Sequence, residues 1–143
     1  MFEVKKYSRC FVCGDQNDHG LKARFFYDGE KATTEVTADR LFEGYSGIYH
    51  GGIISALLDE VMIKAILARE IFVMTVELTV RFHRPVKVGE RITFNGRVVN
   101  ERGRLYLTEG EALAADGTPF ATASAKYVEA KSDIKDALER SVD

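Results

Sequence analysis

Hydrophobic positions change their period along the chain, and the changes mark its elements. From Leu21 to Tyr27 and from Ala32 to Thr37 the pattern is strand-like, and Asp28-Gly29 between them predicts a hairpin turn. From Gly51 to about Arg69 the apolar residues recur at helical spacing, with Ile54, Leu57, Leu58, Val61, Ala65 and Ala68 on one face. Phe72 to Arg84 returns to period two. Met74, Val76, Leu78, Val80 and Phe82 point one way, and Thr75, Glu77, Thr79, Arg81 and His83 the other, until Arg84-Pro85 ends the strand. Strands are then predicted over Glu90 to Asn100, Leu105 to Ala115 and Phe120 to Glu129. Asn95-Gly96 reads as a bulge or bend, and Arg102-Gly103 and Asp116-Gly117 as turns. Small residues share faces of the last two strands: Gly110, Ala112 and Ala114 on one, Ala121, Ala123 and Ala125 on the other. Together they form a trough into which a helix can sink. Two strands, a long helix and four hairpin-linked strands predict an α+β fold, an antiparallel sheet curled around one buried helix. That domain covers residues 21–130. Residues 1–20 form an ordered lead-in, and 131–143 a short charged helix or tail.

Composition narrows the function classes. A chain of 143 residues fits one domain with a sizeable core. A net charge of −2 gives no electrostatic case for nucleic acid. No apolar run reaches membrane-spanning length, and the N-terminus has no signal core, so a cytoplasmic location is expected. Cys10 and Cys13 are the two cysteines and lie too close together to staple a fold, so reduced thiols are expected. With His19 they supply three candidate zinc ligands and no fourth nearby, so an ordered loop is favoured over a metal site. No metal or cofactor is expected.

The chemistry concentrates at the start of the helix. Gly51 and Gly52 leave the first N–H groups uncovered at the positive end of the helix dipole, where an oxygen gaining charge can be held. Asp59 falls on the side opposite the core face, with Gly52, Ser55, Met62, Ile63 and Ile66. A carboxylate among aliphatic side chains implies a helix buried on two sides. The second side must meet a partner subunit or an apolar ligand. Asp59 is then either a reactive carboxylate or an interface residue satisfied across a dimer. Its neighbour Glu60 is expected to form a solvated ion pair with Lys64.

These residues carry a resemblance. His50-Gly51-Gly52, six residues, Asp59-Glu60 and a strand ending Arg84-Pro85 resemble the hot-dog-fold acyl-CoA thioesterases, nearest the phenylacetate-degradation-type and thioesterase-superfamily-member branch. Cys10-Phe11-Val12-Cys13-Gly14, Asn17 and Gly20-Leu21 resemble the opening of small bacterial and archaeal members. The likeness covers roughly residues 10–128. It implies a hot-dog fold, sheets joined edge to edge in a homodimer or dimer of dimers, active sites at the interface, and acyl-CoA as substrate. It further implies Asp59 as base or nucleophile, the Gly51 N–H polarising the thioester carbonyl, and Thr75 holding the water. Gly44 stands where some relatives carry Asn. His50 either contacts substrate or caps the helix, and Thr75 is otherwise simply a good strand former. Gly52, Ser55, Met62, Ile63 and Ile66 are candidates for substrate binding, the last three as the lining of an acyl pocket. Arg84 and Lys87 are candidates for coenzyme A phosphates, though solvated strand ends explain them equally well. Two other functions compete: a non-catalytic acyl-CoA-binding module, and a dehydratase acting on hydroxyacyl thioesters.

Overall fold

The computed structural model describes residues 1–142. One antiparallel sheet contains seven strands: β1 (Phe2–Glu3), β2 (Phe26–Tyr27), β3 (Ala32–Thr37), β4 (Val73–Phe82), β5 (Arg91–Arg102), β6 (Leu105–Leu113) and β7 (Pro119–Glu129). Their order is β1-β2-β3-β5-β6-β7-β4, so β4 is an edge strand. The long helix α1 (Gly51–Leu67) lies in the concave face, and α2 (Ser132–Ser141) follows the last strand. This is the hot-dog architecture expected from the sequence.

Several local expectations change. The Asp28-Gly29 turn closes a hairpin with Tyr27 opposite Ala32. Its first strand keeps only two residues, because Ala23 and Phe25 bond instead to Val12 and Val4 of the lead-in. A seventh strand, β1, comes from that lead-in and was not expected. The predicted bulge at Asn95-Gly96 is absent: Gly96 pairs in register with Gly110. Gly96 has a different job. A Cβ there would lie 2.7 Å from the carbonyl oxygen of Val61, so only glycine lets the backbone of α1 approach β5 this closely. The actual irregularities fall between Thr75 and Glu77, between Val98 and Asn100 and between Ala112 and Leu113. The expected terminal helix runs to Ser141, and Asp143 lies outside the described residues.

The sheet wraps further around α1 than one helix face. Ile54, Leu57, Leu58, Val61 and Ala65 are buried as predicted, but so are Met62 and Ile66, both with no exposed surface. Met62 sinks over Gly110 in the small-residue trough, and Thr108 Oγ1 donates to its sulfur at 3.2 Å. Curvature therefore consumes residues that helical periodicity assigned to the outer side.

Candidate active site

Asp59 lies on the half-buried side of α1, and two hydroxyls hold its carboxylate. Tyr127 Oη donates to Oδ1 at 2.8 Å, and Thr75 Oγ1 reaches Oδ1 at 3.2 Å and Oδ2 at 3.4 Å. Strict alternation puts Thr75 on the opposite side of β4 from Leu78 and Val80. The register shift between Thr75 and Glu77 reverses this. Thr75 pairs with Tyr127, while Leu78 and Val80 pair with Ala125 and Ala123, so all lie on the helix-facing side. An extra residue at Val76 thus turns Thr75 toward Asp59. Tyr127 is fully buried, and burial together with the facing Asp59 pushes its phenol well above the ordinary tyrosine range. It stays a hydroxyl donor. Sequence reading missed Tyr127, although it continues the two-residue period of Ala121, Ala123 and Ala125 on β7.

The other end of the site is the start of α1. His50 is the N-cap, its Nδ1 accepting the Gly52 N–H at 2.8 Å. A Cβ on Gly52 would stand 3.0 Å from that ring, so any larger residue there would press on the capping imidazole. The His50 N–H goes to Phe42, and the N–H groups of Ile53 and Ile54 go to His50. Among the described residues, the Gly51 N–H is left without an acceptor. Gly51 lines a cavity of about 840 Å³ between the 43–50 loop and the end of β4, with His50, Ile54, Phe82, Arg84 and Val86. Arg84 is exposed at this cavity, but its guanidinium donates to Thr118 Oγ1 at 2.7 Å and lies over the Phe120 ring. Lys87 is exposed and does not line the cavity.

Gly51 and Asp59 are eight residues apart on one helix, a rise of about 12 Å. Their groups cannot meet on one carbonyl within a single chain. Between them runs a partly open strip formed by Gly52, Ser55, Ala56, Asp59 and Ile63. Ser55 donates back to the Gly51 carbonyl at 3.0 Å. Ile63 stays on this strip as expected. Met62 and Ile66 do not, because the sheet buries them, so neither lines an opening in this chain.

The family model for the thioesterase superfamily matches residues 46–121, more than half of the chain. The chain belongs to the thioesterase superfamily. A superfamily member of known structure is 27% identical with a TM-score of 0.79; the match covers 85% of this chain and 61% of that one, so the chain spans about three fifths of its length. A mutant of the phenylacetic acid degradation protein PaaI from Thermus thermophilus is 18% identical, with a TM-score of 0.69 and coverages of 76% and 93%. A hypothetical thioesterase from Streptococcus pneumoniae, solved with coenzyme A, is 13% identical, with a TM-score of 0.71 and coverages of 75% and 87%. No curated protein sequence matches.

This thioesterase-superfamily chain carries a second polar cluster beside Asp59. Glu60 points away from the open strip and is buried, which corrects the solvated ion pair expected with Lys64. Lys64 is fully buried too. Its Nζ stands 3.5 Å from Glu60 Oε2 and 3.3 Å from Cys13 Sγ, donates to the Lys5 carbonyl, and lies over the rings of Tyr7 and Phe25. Burial pushes the Glu60 carboxyl up to about 7, against the pull of Lys64. Cys10 moves the other way, to about 5, chiefly through hydrogen bonds from Cys13 and Val12. His19 is exposed and does not appear among the described residues that cluster there; Glu60 does.

Proposed function

We propose that the protein hydrolyses acyl-CoA thioesters at a site shared between two copies of the chain. The observation that carries this reading is Asp59, held by Thr75 and Tyr127 beside an open strip, about 12 Å from a free helix N-terminal N–H. The edge strand β4 supports a twofold partner. It leaves Met74, Val76 and Phe82 exposed on an unpaired edge, the kind of surface that pairs with another strand. Gly51 lies against the Phe82 ring at one end of β4, while Asp59 lies against Thr75 near the other. Antiparallel pairing of two β4 strands centred between Leu78 and Thr79 exchanges these ends. One copy's Gly51 then approaches the other copy's Asp59, with Thr75 and Tyr127 contributed by the Asp59 chain.

In the reaction, the Gly51 N–H binds the thioester oxygen as it gains charge, helped by the helix dipole. Asp59 takes a proton from the attacking water, or attacks the carbonyl carbon itself, with water then cleaving the anhydride. Oδ2 carries only the longer Thr75 contact, so it is the oxygen left free for this step. The C–S bond breaks and coenzyme A leaves as the thiol, with the acyl group released as free acid. His50 acts through the cap that aims the helix N-terminus. The coenzyme A bound to the Streptococcus pneumoniae neighbour supports this class of substrate. Arg84, exposed at the cavity, is suited to a phosphate of that group.

Release of free thiol from a panel of acyl-CoAs tests the reading. Wild type should release thiol, and Asp59→Asn should bind coenzyme A normally but lose nearly all turnover. Unchanged hydrolysis in that variant contradicts the mechanism.

A further inference from the structure

The lead-in and α1 meet in a cluster that the proposed hydrolysis does not use. The Cys10 and Cys13 sulfurs and a Glu60 carboxylate oxygen all lie within 4.8 Å of one another. Glu60 Oε1 is 3.9 Å from Cys10 Sγ. Glu60 Oε2 is buried and makes no hydrogen bond; the nearest cation is Lys64 Nζ at 3.5 Å. Oε1 faces the Cys10 sulfur, while Oε2 has only the Lys64 ammonium beside it and no hydrogen bond, and a buried carboxylate so poorly partnered is costly.

We infer that Cys10, Cys13 and Glu60 form a zinc site that ties the lead-in to α1 beside Asp59. Three features support it. The donor set of two thiolates and one carboxylate suits Zn²⁺, with a fourth position left to water reaching past half-buried Cys10. Tetrahedral bonds of about 2.3 Å place ligand atoms roughly 3.8 Å apart, so the cluster closes on an ion with shifts of about 1 Å or less. The backbone N–H groups of Val12 and Cys13 already point at Cys10 Sγ, at 3.3 and 3.4 Å, as they do when stabilising a metal-bound thiolate. Charge agrees as well. Two thiolates and a carboxylate carry three negative charges, the Lys64 ammonium supplies one positive charge, and a divalent cation neutralises the remainder. The sequence offered His19 as third ligand; the fold supplies Glu60 from a residue 50 positions away from Cys10.

The full chain, reduced and stripped with chelator, is titrated with Co²⁺ and then Zn²⁺. A thiolate-to-cobalt charge-transfer band saturating at one equivalent is expected, bleached by Zn²⁺, with a higher melting temperature in Zn²⁺. Cys10→Ser and Cys13→Ser should each weaken the band, and Glu60→Gln should keep it while lowering affinity at least tenfold. No band, an unaltered band in Cys10→Ser, or an unchanged melting temperature overturns the site. If the cysteine variants fail to fold, thiol labelling of wild type decides: Zn²⁺ should protect Cys10 from a disulfide reagent, and equal labelling rates with and without Zn²⁺ overturn it.

Discussion

Thr75 reaches the Asp59 carboxylate because β4 carries one extra residue at Val76. Deleting Val76 restores simple alternation and turns the Thr75 hydroxyl to the outer face. Hydrogen bonds to a charged group are worth about 1.5–3 kcal/mol, so Thr75→Val should cost about 10- to 100-fold in kcat/KM. Thr75→Ser should keep most activity, and deletion of Val76 should match or exceed the valine loss. Steady-state kinetics on the three variants checks this; full activity in the deletion would show that the bulge does not position Thr75.

Tyr127 acts on the same carboxylate from the opposite strand. Tyr127→Phe keeps the ring and removes one donor from a buried site. A fall in kcat of about tenfold with KM nearly constant is expected, with a stability loss of about 1–2 kcal/mol in urea unfolding. A loss confined to stability would make Tyr127 purely structural.

Close approach of helix and sheet at Gly96 gives a prediction about folding alone. Gly96→Ala places a carbon 2.7 Å from the Val61 carbonyl oxygen, so backbone must move. A destabilisation of about 1–3 kcal/mol is expected from the urea midpoint. Gly29→Ala, at an exposed turn with nothing near its Cβ, should act only through its backbone angle of 99°. Equal tolerance at both positions through unchanged stability would argue against the tight contact.

The Glu60 and Cys10 shifts oppose one another. Glu60 is raised from 4.5 to about 7, so the folded chain holds more protons between those values and loses stability as pH rises through them. Cys10 is lowered from 9.0 to about 5, so the folded chain holds fewer protons there and gains stability as pH rises from 5 to 9. In chelator-treated protein the two offset between pH 5 and 7. Glu60→Gln should then gain stability across that window, and Cys10→Ser should lose it. Denaturation midpoints against pH give the slopes, and the same slope in both variants would contradict the assignment.

Much of the fold was legible because its signals are local. Turn pairs such as Asp28-Gly29 and Asp116-Gly117 mark hairpins, and the Gly-Ala faces of β6 and β7 announce a sunken helix. The Asp59 position and the His50 cap followed from helix geometry and from the resemblance. What failed depends on register and curvature. Strict alternation could not reveal the extra residue at Val76, and helical period could not show how far the sheet wraps around Met62 and Ile66. Glu60 looked solvated because its cover, Tyr7 to Cys13, comes from a segment without periodicity.

The central claim is that the Gly51 N–H and the Asp59 carboxylate act on one thioester from different chains. Gly51→Pro removes that N–H at a first helical position where proline is tolerated, and Asp59→Asn removes the carboxylate. Each variant alone should be nearly inactive. Mixed by co-expression or refolding, half of the dimers are hybrids with one intact site, so about a quarter of wild-type turnover should return. Mixtures as inactive as the separate variants would contradict a shared site.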